Sequence, residues 1–170
     1  MVRRSRRSLP TRQLYASFSL NLQLTGVALL PPEHEFTLNQ ETGHFIVVNW
    51  ADRSIVTDGE FGFLERAPVL ALLHYWPSYV PNEKLLTAIA TQAPEEMVEA
   101  FDNDHEVALK LLQGVMNGCQ ECLQPIGIRV EEVNQYGYKL SPCAARRDSL
   151  TAHAEHTELV RNAQTTSDEV

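Results

Sequence analysis

The alternation of apolar and polar residues predicts strands in the first third of the chain. Phe18, Leu20 and Leu22 alternate with polar residues, and a period of two is typical of a strand with one buried face. The last two predicted strands form a hairpin, after which the Asp-Gly pair at 58–59 is expected to turn the chain. The predicted strands are residues 15–24, 33–38, 44–49 and 54–57.

The middle of the chain changes to helical spacing, with apolar residues three or four positions apart in three segments. Asn82 is expected to cap the second helix, and Asn103 with Glu106 to form a capping box for the third. The predicted helices are residues 66–76, 83–90 and 104–123. The buried stripe of the third is expected to contain Ala108, Leu111, Leu112, Val115, Cys119, Cys122 and Leu123.

A β-hairpin is predicted at residues 130–140, after the third helix. Val130 and Val133 are followed by Gln-Tyr-Gly and then by Tyr138 and Leu140, two positions apart. Gly137 is expected to supply the permissive backbone of the turn. Strands, then helices, then a terminal hairpin indicate an α+β fold.

The chain divides into four segments by composition. Residues 1–12 are a basic arm, 13–43 an N-terminal β extension, 44–142 the main domain, and 143–170 a polar tail. The extension is interpreted as an added sheet or as an element that makes a dimer.

The hairpin resembles the wing of OmpR/PhoB-type DNA-binding domains, which ends in Ile-Arg-Thr-Val-Arg-Gly-Val-Gly-Tyr-Arg-Leu. The resemblance extends over residues 43–142, and it implies a winged helix-turn-helix with N-terminal antiparallel strands, a three-helix core and a C-terminal hairpin wing. Glu131, Asn134 and Gln135 depart from the pattern, which has Arg, Arg and Gly there. The residues that match it are Val130, Val133, Gly137, Tyr138, Lys139 and Leu140.

The resemblance implies a transcription regulator that binds double-stranded DNA, and we expect a homodimer. The receiver domain typical of the family does not precede residues 43–142 in this sequence, so we expect the regulator to act without the phosphorylation control of the family. The third helix would lie in the major groove, where Gln and Asn side chains can pair with adenine. The arm either contacts phosphates or only solubilises the chain. The expected DNA-binding residues are Lys110, Gln113, Asn117 and Gln120 on the helix, Arg129, Asn134, Gln135 and Lys139 on the wing, and Arg3, Arg4, Arg6 and Arg7 on the arm.

The charge favours an alternative function, an acidic module that binds proteins. The net charge is −8, from 22 acidic and 14 basic residues, and phosphate binding requires positive charge. Six acids lie between residues 94 and 106, in a solvated loop or short helix. In OmpR-like proteins this region can touch RNA polymerase, so the resemblance implies RNA polymerase or another basic protein surface as a partner. The candidate residues are Glu95, Glu96, Glu99 and Asp102.

Other classes of function receive less support from the sequence. The Cys-x-x-Cys at 119–122 could join Cys143, His153 and His156 in a zinc site, but the pair falls on an apolar helix stripe, so buried thiols are expected instead. Ser5-Arg6-Arg7-Ser8-Leu9 resembles a twin-arginine export motif, yet no Ala-x-Ala site follows. We expect a cytoplasmic protein that is not an enzyme and uses neither cofactor nor metal.

Overall fold

The structure is a computed structural model that describes residues 14–22 and 25–143. Along this part of the chain six strands come first, then four helices with one short strand after the first of them, and then two strands. A 3₁₀ turn, Gln124–Ile126, follows the longest helix. The elements are β1 Tyr15–Phe18, β2 Asn21–Leu22, β3 Val27–Ala28, β4 His34–Asn39, β5 His44–Asn49, β6 Ser54–Glu60, α1 Arg66–Tyr75, β7 Val80–Pro81, α2 Asn82–Ala90, α3 Glu95–Asn103, α4 His105–Leu123, β8 Ile128–Val133 and β9 Gly137–Pro142.

The larger sheet is antiparallel, with its strands in the order β1-β4-β5-β6. Phe36 on β4 stacks on Phe45 of β5 with ring centroids 5.1 Å apart, and Phe61, just after β6, lies 4.9 Å from Phe45. All three rings are buried. The predicted hairpin of β5 and β6 is confirmed. The sheet joins strands from both sides of residue 43, so the N-terminal extension and this hairpin share one layer.

α1, α2 and α4 pack against a second, smaller sheet whose strands lie in the order β7-β9-β8. On the side of the larger sheet, the ring of Phe18 on β1 contacts that of His74 on α1 with centroids 5.0 Å apart. One hydrophobic cluster runs from Phe36 in the larger sheet through Leu72 and Leu112 of the helices to Ile128 in the smaller sheet. The expected α+β class is therefore confirmed. None of the helices in the described residues is long and apolar enough to span a membrane.

Two expectations about the strands are wrong. Residues 15–22 are not one strand, because the chain leaves β1 after Phe18 and Leu20 takes a positive φ of 50°. The Asp-Gly pair at 58–59 does not turn the chain but continues β6. Gly59 is required there for another reason, since a Cβ at this position would overlap the ring of Phe45.

The acidic segment forms a helix of its own, α3, so the described chain has four helices where a three-helix core was expected. Glu95 and Glu96 lie in its first turn, where carboxylates favour the helix dipole. Met97, Val98 and Phe101 are half-buried on the side that packs near α4, and no residue of α3 is fully buried. The helix is thus a layer added to the outside of the core.

Candidate nucleic-acid interface

The longest helix, α4, begins at Asp104, whose Oδ1 accepts hydrogen bonds from the backbone N–H groups of Glu106 (2.9 Å) and Val107 (3.3 Å). The expected cap at Asn103 is wrong, because that residue still belongs to α3. Asp104 has an extended backbone with φ of −143°, as an N-cap requires. One acidic residue thus separates the two helices and fixes the direction in which α4 leaves.

The exposed side of α4 carries three of the four helix residues that are expected to contact DNA bases. Lys110, Gln113 and Asn117 are all exposed, and the two amides make no hydrogen bond to any described residue. Lys110 Nζ lies 3.0 Å from Glu106 Oε1, one turn earlier. Gln113 and Asn117 are four positions apart, so they lie on one face of the helix and are available to a ligand.

The fourth helix residue expected to contact DNA bases, Gln120, is hydrogen-bonded to β8 instead. Its Oε1 accepts a hydrogen bond from the backbone N–H of Val130 at 2.7 Å, and its Nε2 donates to the carbonyl of Ile128 at 3.4 Å. Both partners belong to β8, the edge strand of the smaller sheet. The amide therefore joins α4 to the hairpin. Because both of its ends are hydrogen-bonded within the chain, Gln120 is not available to contact DNA bases.

The hairpin of β8 and β9 pairs in the register Val130↔Leu140 to Val133↔Gly137. Its turn is formed by Asn134 and Gln135, which have φ of 47° and 62°. The expectation that Gly137 supplies the turn backbone is wrong, since Gly137 lies inside β9. A Cβ on Gly137 would overlap the carbonyl of Val80, so the glycine allows β7 to approach β9.

The tip of the hairpin is attached to the start of α2 through Asn82. The backbone N–H of Asn82 donates to the carbonyl of Tyr136 at 2.9 Å, and its side-chain Nδ2 donates to the carbonyl of Gln135 at 2.8 Å. The expected capping role of this residue is wrong, because Pro81 is the N-cap of α2 and no side chain caps it. The side chains of Asn134 and Gln135 remain exposed at the tip.

A cavity of about 230 Å³ lies between α4 and the hairpin. Tyr138 forms part of its wall, and its own burial, together with the nearby Glu132 carboxylate, raises the pKa of the phenol. The tyrosine is half-buried and packs against the core cluster. Polar groups that line this cavity include Asn82, Glu106, Lys110, Gln113, Glu132 and Gln135.

The surface formed by α4 and the hairpin carries more acidic than basic residues. Lys139 lies directly opposite Glu131 in the register of the hairpin, and Lys110 is paired as described above. Arg129, opposite Ser141, is exposed and makes no ion pair with a described residue. The basic residues of this surface are Lys110, Arg129 and Lys139, and the acidic ones are Glu106, Glu121, Glu131 and Glu132.

The remaining expected site residues fall in two places. Arg3, Arg4, Arg6 and Arg7 of the arm lie outside the described residues, as does the tail beyond Cys143. Glu95, Glu96, Glu99 and Asp102 are brought together on α3, where all four side chains are exposed and none forms an ion pair with a described residue.

The cysteines behave as the apolar stripe predicted. Cys119 is buried, and burial together with the nearby Glu65 carboxylate raises the pKa of its thiol well above the usual value. Cys122 is half-buried, and its Sγ contacts the carbonyl of Glu60 at 3.4 Å. In residues 14–22 and 25–143, no group of three His, Cys, Asp or Glu side chains is arranged to hold a metal ion. His153 and His156 lie outside the described residues.

Comparison of the chain with protein-family models, with curated proteins and with solved structures finds no match. We therefore infer function from the arrangement of α4 and the hairpin. The residues that fix this arrangement, Asn82 and Gln120, were expected in other roles. Their hydrogen bonds join segments distant in sequence, which local patterns do not indicate.

Proposed function

We propose that the described chain contains a winged helix, in which α2 and α4 are the helix-turn-helix and β8–β9 is the wing. Three features support this. α2 packs on α4, the hairpin follows α4 after the 3₁₀ turn, and β7, immediately before α2, pairs with β9. A helix followed by a hairpin wing on a helical core is the arrangement that the resemblance implied. Here α3 is inserted between the two helices of the motif.

We propose that the protein is a transcription regulator that binds double-stranded DNA through α4 and the wing. The observation that carries this proposal is the pair of exposed, unbonded amides Gln113 and Asn117, next to Lys110 on one face of α4. Such amides can form two hydrogen bonds to adenine in the major groove. The wing tip, with Asn134 and Gln135, is available to contact the sugar-phosphate backbone or the minor groove.

The charge distribution determines how such binding must work. The described residues contain 17 acidic and 6 basic side chains, and the α4–hairpin surface contributes only three of the basic ones. Phosphate contacts supply most of the sequence-independent affinity of DNA-binding proteins. We therefore propose that the five arginines within residues 1–12 provide the main phosphate anchor, with Arg129 as an additional contact.

The first test replaces Gln113 and Asn117 together with alanine. We expect a loss of roughly 1–3 kcal/mol per lost amide–base pair against the preferred site, with non-specific binding nearly unchanged. Gln124→Ala is the matched control, because Gln124 is also exposed but lies beyond the end of α4. Gel shifts on selected genomic fragments measure the effect, and equal affinity of the double variant and the control would contradict the role of α4.

The second test deletes residues 2–12. Each phosphate contact contributes about −0.9 to the slope of log K against log salt, so loss of up to five contacts should flatten this slope by about 4 to 5. Affinity measured over a salt series gives the slope directly. An unchanged slope in the deleted protein would place the phosphate contacts outside residues 2–12.

The second candidate function is protein binding through α3. Four exposed carboxylates without an ion pair to a described residue form a continuous acidic surface there. RNA polymerase, or another protein with a basic surface, would be the partner. Charge reversal of Glu95, Glu96 and Glu99 to Lys should abolish this association, because like charges across an interface are strongly unfavourable.

The matched control for α3 reverses Glu33, Glu41 and Glu83 to Lys, since all three are exposed and lie outside α3. Both triple variants are tested by pull-down of purified RNA polymerase and by gel shift. If only the α3 variant loses polymerase binding and no variant binds DNA, protein binding through α3 replaces DNA binding as the proposed function. Loss of DNA binding in the amide variant, with polymerase binding absent throughout, would exclude the second.

A further inference from the structure

A cavity of about 350 Å³ lies where the turn between β4 and β5, helix α1 and the end of α2 meet. It is larger than the cavity of about 230 Å³ beside the hairpin. Its volume is near the lower limit for small-molecule sites, so it fits a small ligand. The residues of its wall that decide which ligand fits are Leu14, Glu41, Phe63, Arg66, Leu70 and Gln92.

Arg66 places a positive charge in this wall. Its Nη1 donates a hydrogen bond to the carbonyl of Glu41, and its Nε donates to the carbonyl of Phe61 at 3.5 Å. Its Cζ lies 5.5 Å from the ring centroid of Phe63. All of these contacts are with uncharged groups, and Arg66 makes no ion pair with a described residue. The guanidinium is therefore held in place without being neutralised, and it has N–H donors left for a carboxylate.

The turn beside Arg66 is shaped to hold it. Gly43 has φ of 78°, and a Cβ at this position would overlap the Nε of Arg66 and a backbone carbonyl. Within the turn, Asn39 Oδ1 accepts hydrogen bonds from the backbone N–H groups of Glu41 at 3.0 Å and Thr42 at 3.1 Å. This part of the wall is fixed when the chain folds, so a ligand loses little of its contact energy to ordering it.

Glu41 places a negative charge in the same wall. Its side chain is exposed and makes no ion pair with a described residue, so it is not paired with Arg66. The wall thus carries two opposite charges that do not neutralise each other. A ligand with a carboxylate alone would be repelled by Glu41, whereas a ligand that also carries an ammonium group matches both charges. The charges therefore favour a zwitterion.

The apolar residues of the wall favour a ligand with an apolar side chain. The ring of Phe63 is 57% exposed, and Leu14 and Leu70 are half-buried. Covering such surface with an apolar group removes it from water, which is favourable.

Gln92 adds an acceptor that lacks a partner. Its Oε1 is buried and makes no hydrogen bond to a described residue, and an unpaired buried acceptor destabilises the folded state. Rotation of the amide about its last bond exchanges Oε1 with Nε2. Because Gln92 lines the cavity, this rotation would turn the acceptor toward a ligand, where an ammonium group can donate to it.

We propose that this cavity binds a free α-amino acid with an apolar side chain. The carboxylate binds Arg66, the ammonium group lies between Glu41 and Gln92, and the apolar side chain covers Phe63 and Leu70. This site does not depend on DNA binding, and its test is carried out without DNA.

The first test is thermal unfolding of the full chain with six free amino acids, each added separately. They are L-valine, L-leucine, L-isoleucine, L-methionine, L-phenylalanine and L-tryptophan. A ligand that binds only the folded protein raises the melting temperature as its concentration increases. We expect such a rise with at least one of the six and none with L-glutamate, whose side chain is charged. An equal rise with L-glutamate, or no rise with any of the six, would overturn the proposal.

The second test measures affinity by calorimetry for the amino acid that binds best and for two of its analogues. One analogue lacks the amino group and the other lacks the carboxylate. Each analogue loses a charge-assisted hydrogen bond, so we expect its dissociation constant to be higher by about tenfold or more. Binding of either analogue as tightly as the amino acid would overturn the assignment of a zwitterion.

Glu41→Gln tests the ammonium position, because it removes the charge and keeps the backbone groups that hold Arg66. It should reduce the preference for the amino acid over the acid without the amino group to about threefold or less. Glu33→Gln is the matched control, since Glu33 is also exposed but does not line the cavity. An unchanged preference in Glu41→Gln would contradict the proposed orientation.

Gln92→Leu removes the unpaired acceptor, so it should weaken binding without lowering the melting temperature of the ligand-free protein. Gln124→Leu is its control, because Gln124 is exposed outside the cavity. Arg66→Gln should weaken binding by about tenfold or more, with circular dichroism to verify that the variant is folded. Unchanged affinity in both Glu41→Gln and Gln92→Leu would place the ligand elsewhere and overturn the proposal, whatever the stability of Arg66→Gln.

Discussion

Replacement of Gln120 with alanine tests whether this residue holds the hairpin on α4 or serves a ligand. The substitution removes the acceptor of the 2.7 Å bond from Val130 N–H and the donor of the 3.4 Å bond to the Ile128 carbonyl. A typical hydrogen bond contributes about 1 kcal/mol, and a buried group left without a partner costs about 1–3 kcal/mol. The second bond is long and therefore weak. We expect unfolding free energy to fall by about 2 kcal/mol.

The assay is urea unfolding followed by circular dichroism, with two comparison variants. Gln113→Ala makes the same chemical change at an exposed position of the same helix, and it should change stability by less than about 0.5 kcal/mol. Gln120→Glu keeps an acceptor for Val130 but loses the donor toward Ile128, so it should lie between the two alanine variants. Equal stabilities of Gln120→Ala and Gln113→Ala would refute the proposed bond between α4 and β8.

Three further predictions concern residues around this region. Gly114→Ala places its methyl group in open space and should stabilise the protein by about 0.5–1 kcal/mol. Gly118→Ala should give no such gain, because its Cβ would displace the carboxylate of Glu65. The midpoints of urea unfolding compare the two variants. Tyr138→Ala should lower the free energy of unfolding by about 2 kcal/mol, measured by thermal unfolding. Tyr136→Ala should lower it almost not at all, because the Tyr136 side chain is 72% exposed. Equal losses of stability in the two variants would contradict the burial of Tyr138. Burial raises the pKa of the Cys119 thiol above 9.0 in the folded protein. The stability gained by burying the neutral thiol is therefore complete below pH 9 and is lost as the pH rises further. Cys119→Ala should flatten this alkaline fall in the free energy of unfolding.

The sequence predicted the elements whose signals are local. Apolar spacing located α1, α2 and α4 to within a residue or two of their observed ends, and alternation located the hairpin of β8 and β9. Periodicity depends only on which face of an element meets the core, and each segment carries that information itself. The winged helix, the DNA-binding function and the partners stay predictions.

Side-chain roles that depend on distant contacts could not be predicted in this way. Asn103 and Asp104 are both residue types that can cap a helix. Asp104 is the cap of α4 because α3 extends through Asn103. Gly137 was expected in the turn, but the reason for a glycine there is the approach of Val80, more than fifty residues earlier. Gln120 likewise looked like an exposed amide until the position of β8 was known.

The double attachment of Asn82 to the hairpin tip has a consequence for the thermodynamics of any binding event. A free hairpin tip would lose conformational entropy when a ligand fixes it, at a cost of roughly 1–2 kcal/mol for each ordered residue. Here the carbonyls of Gln135 and Tyr136 are bonded to the first residue of α2, so much of that entropy is lost when the chain folds. A partner that bound here would meet the hairpin tip already joined to α2, so less of the contact energy would be spent on ordering the tip.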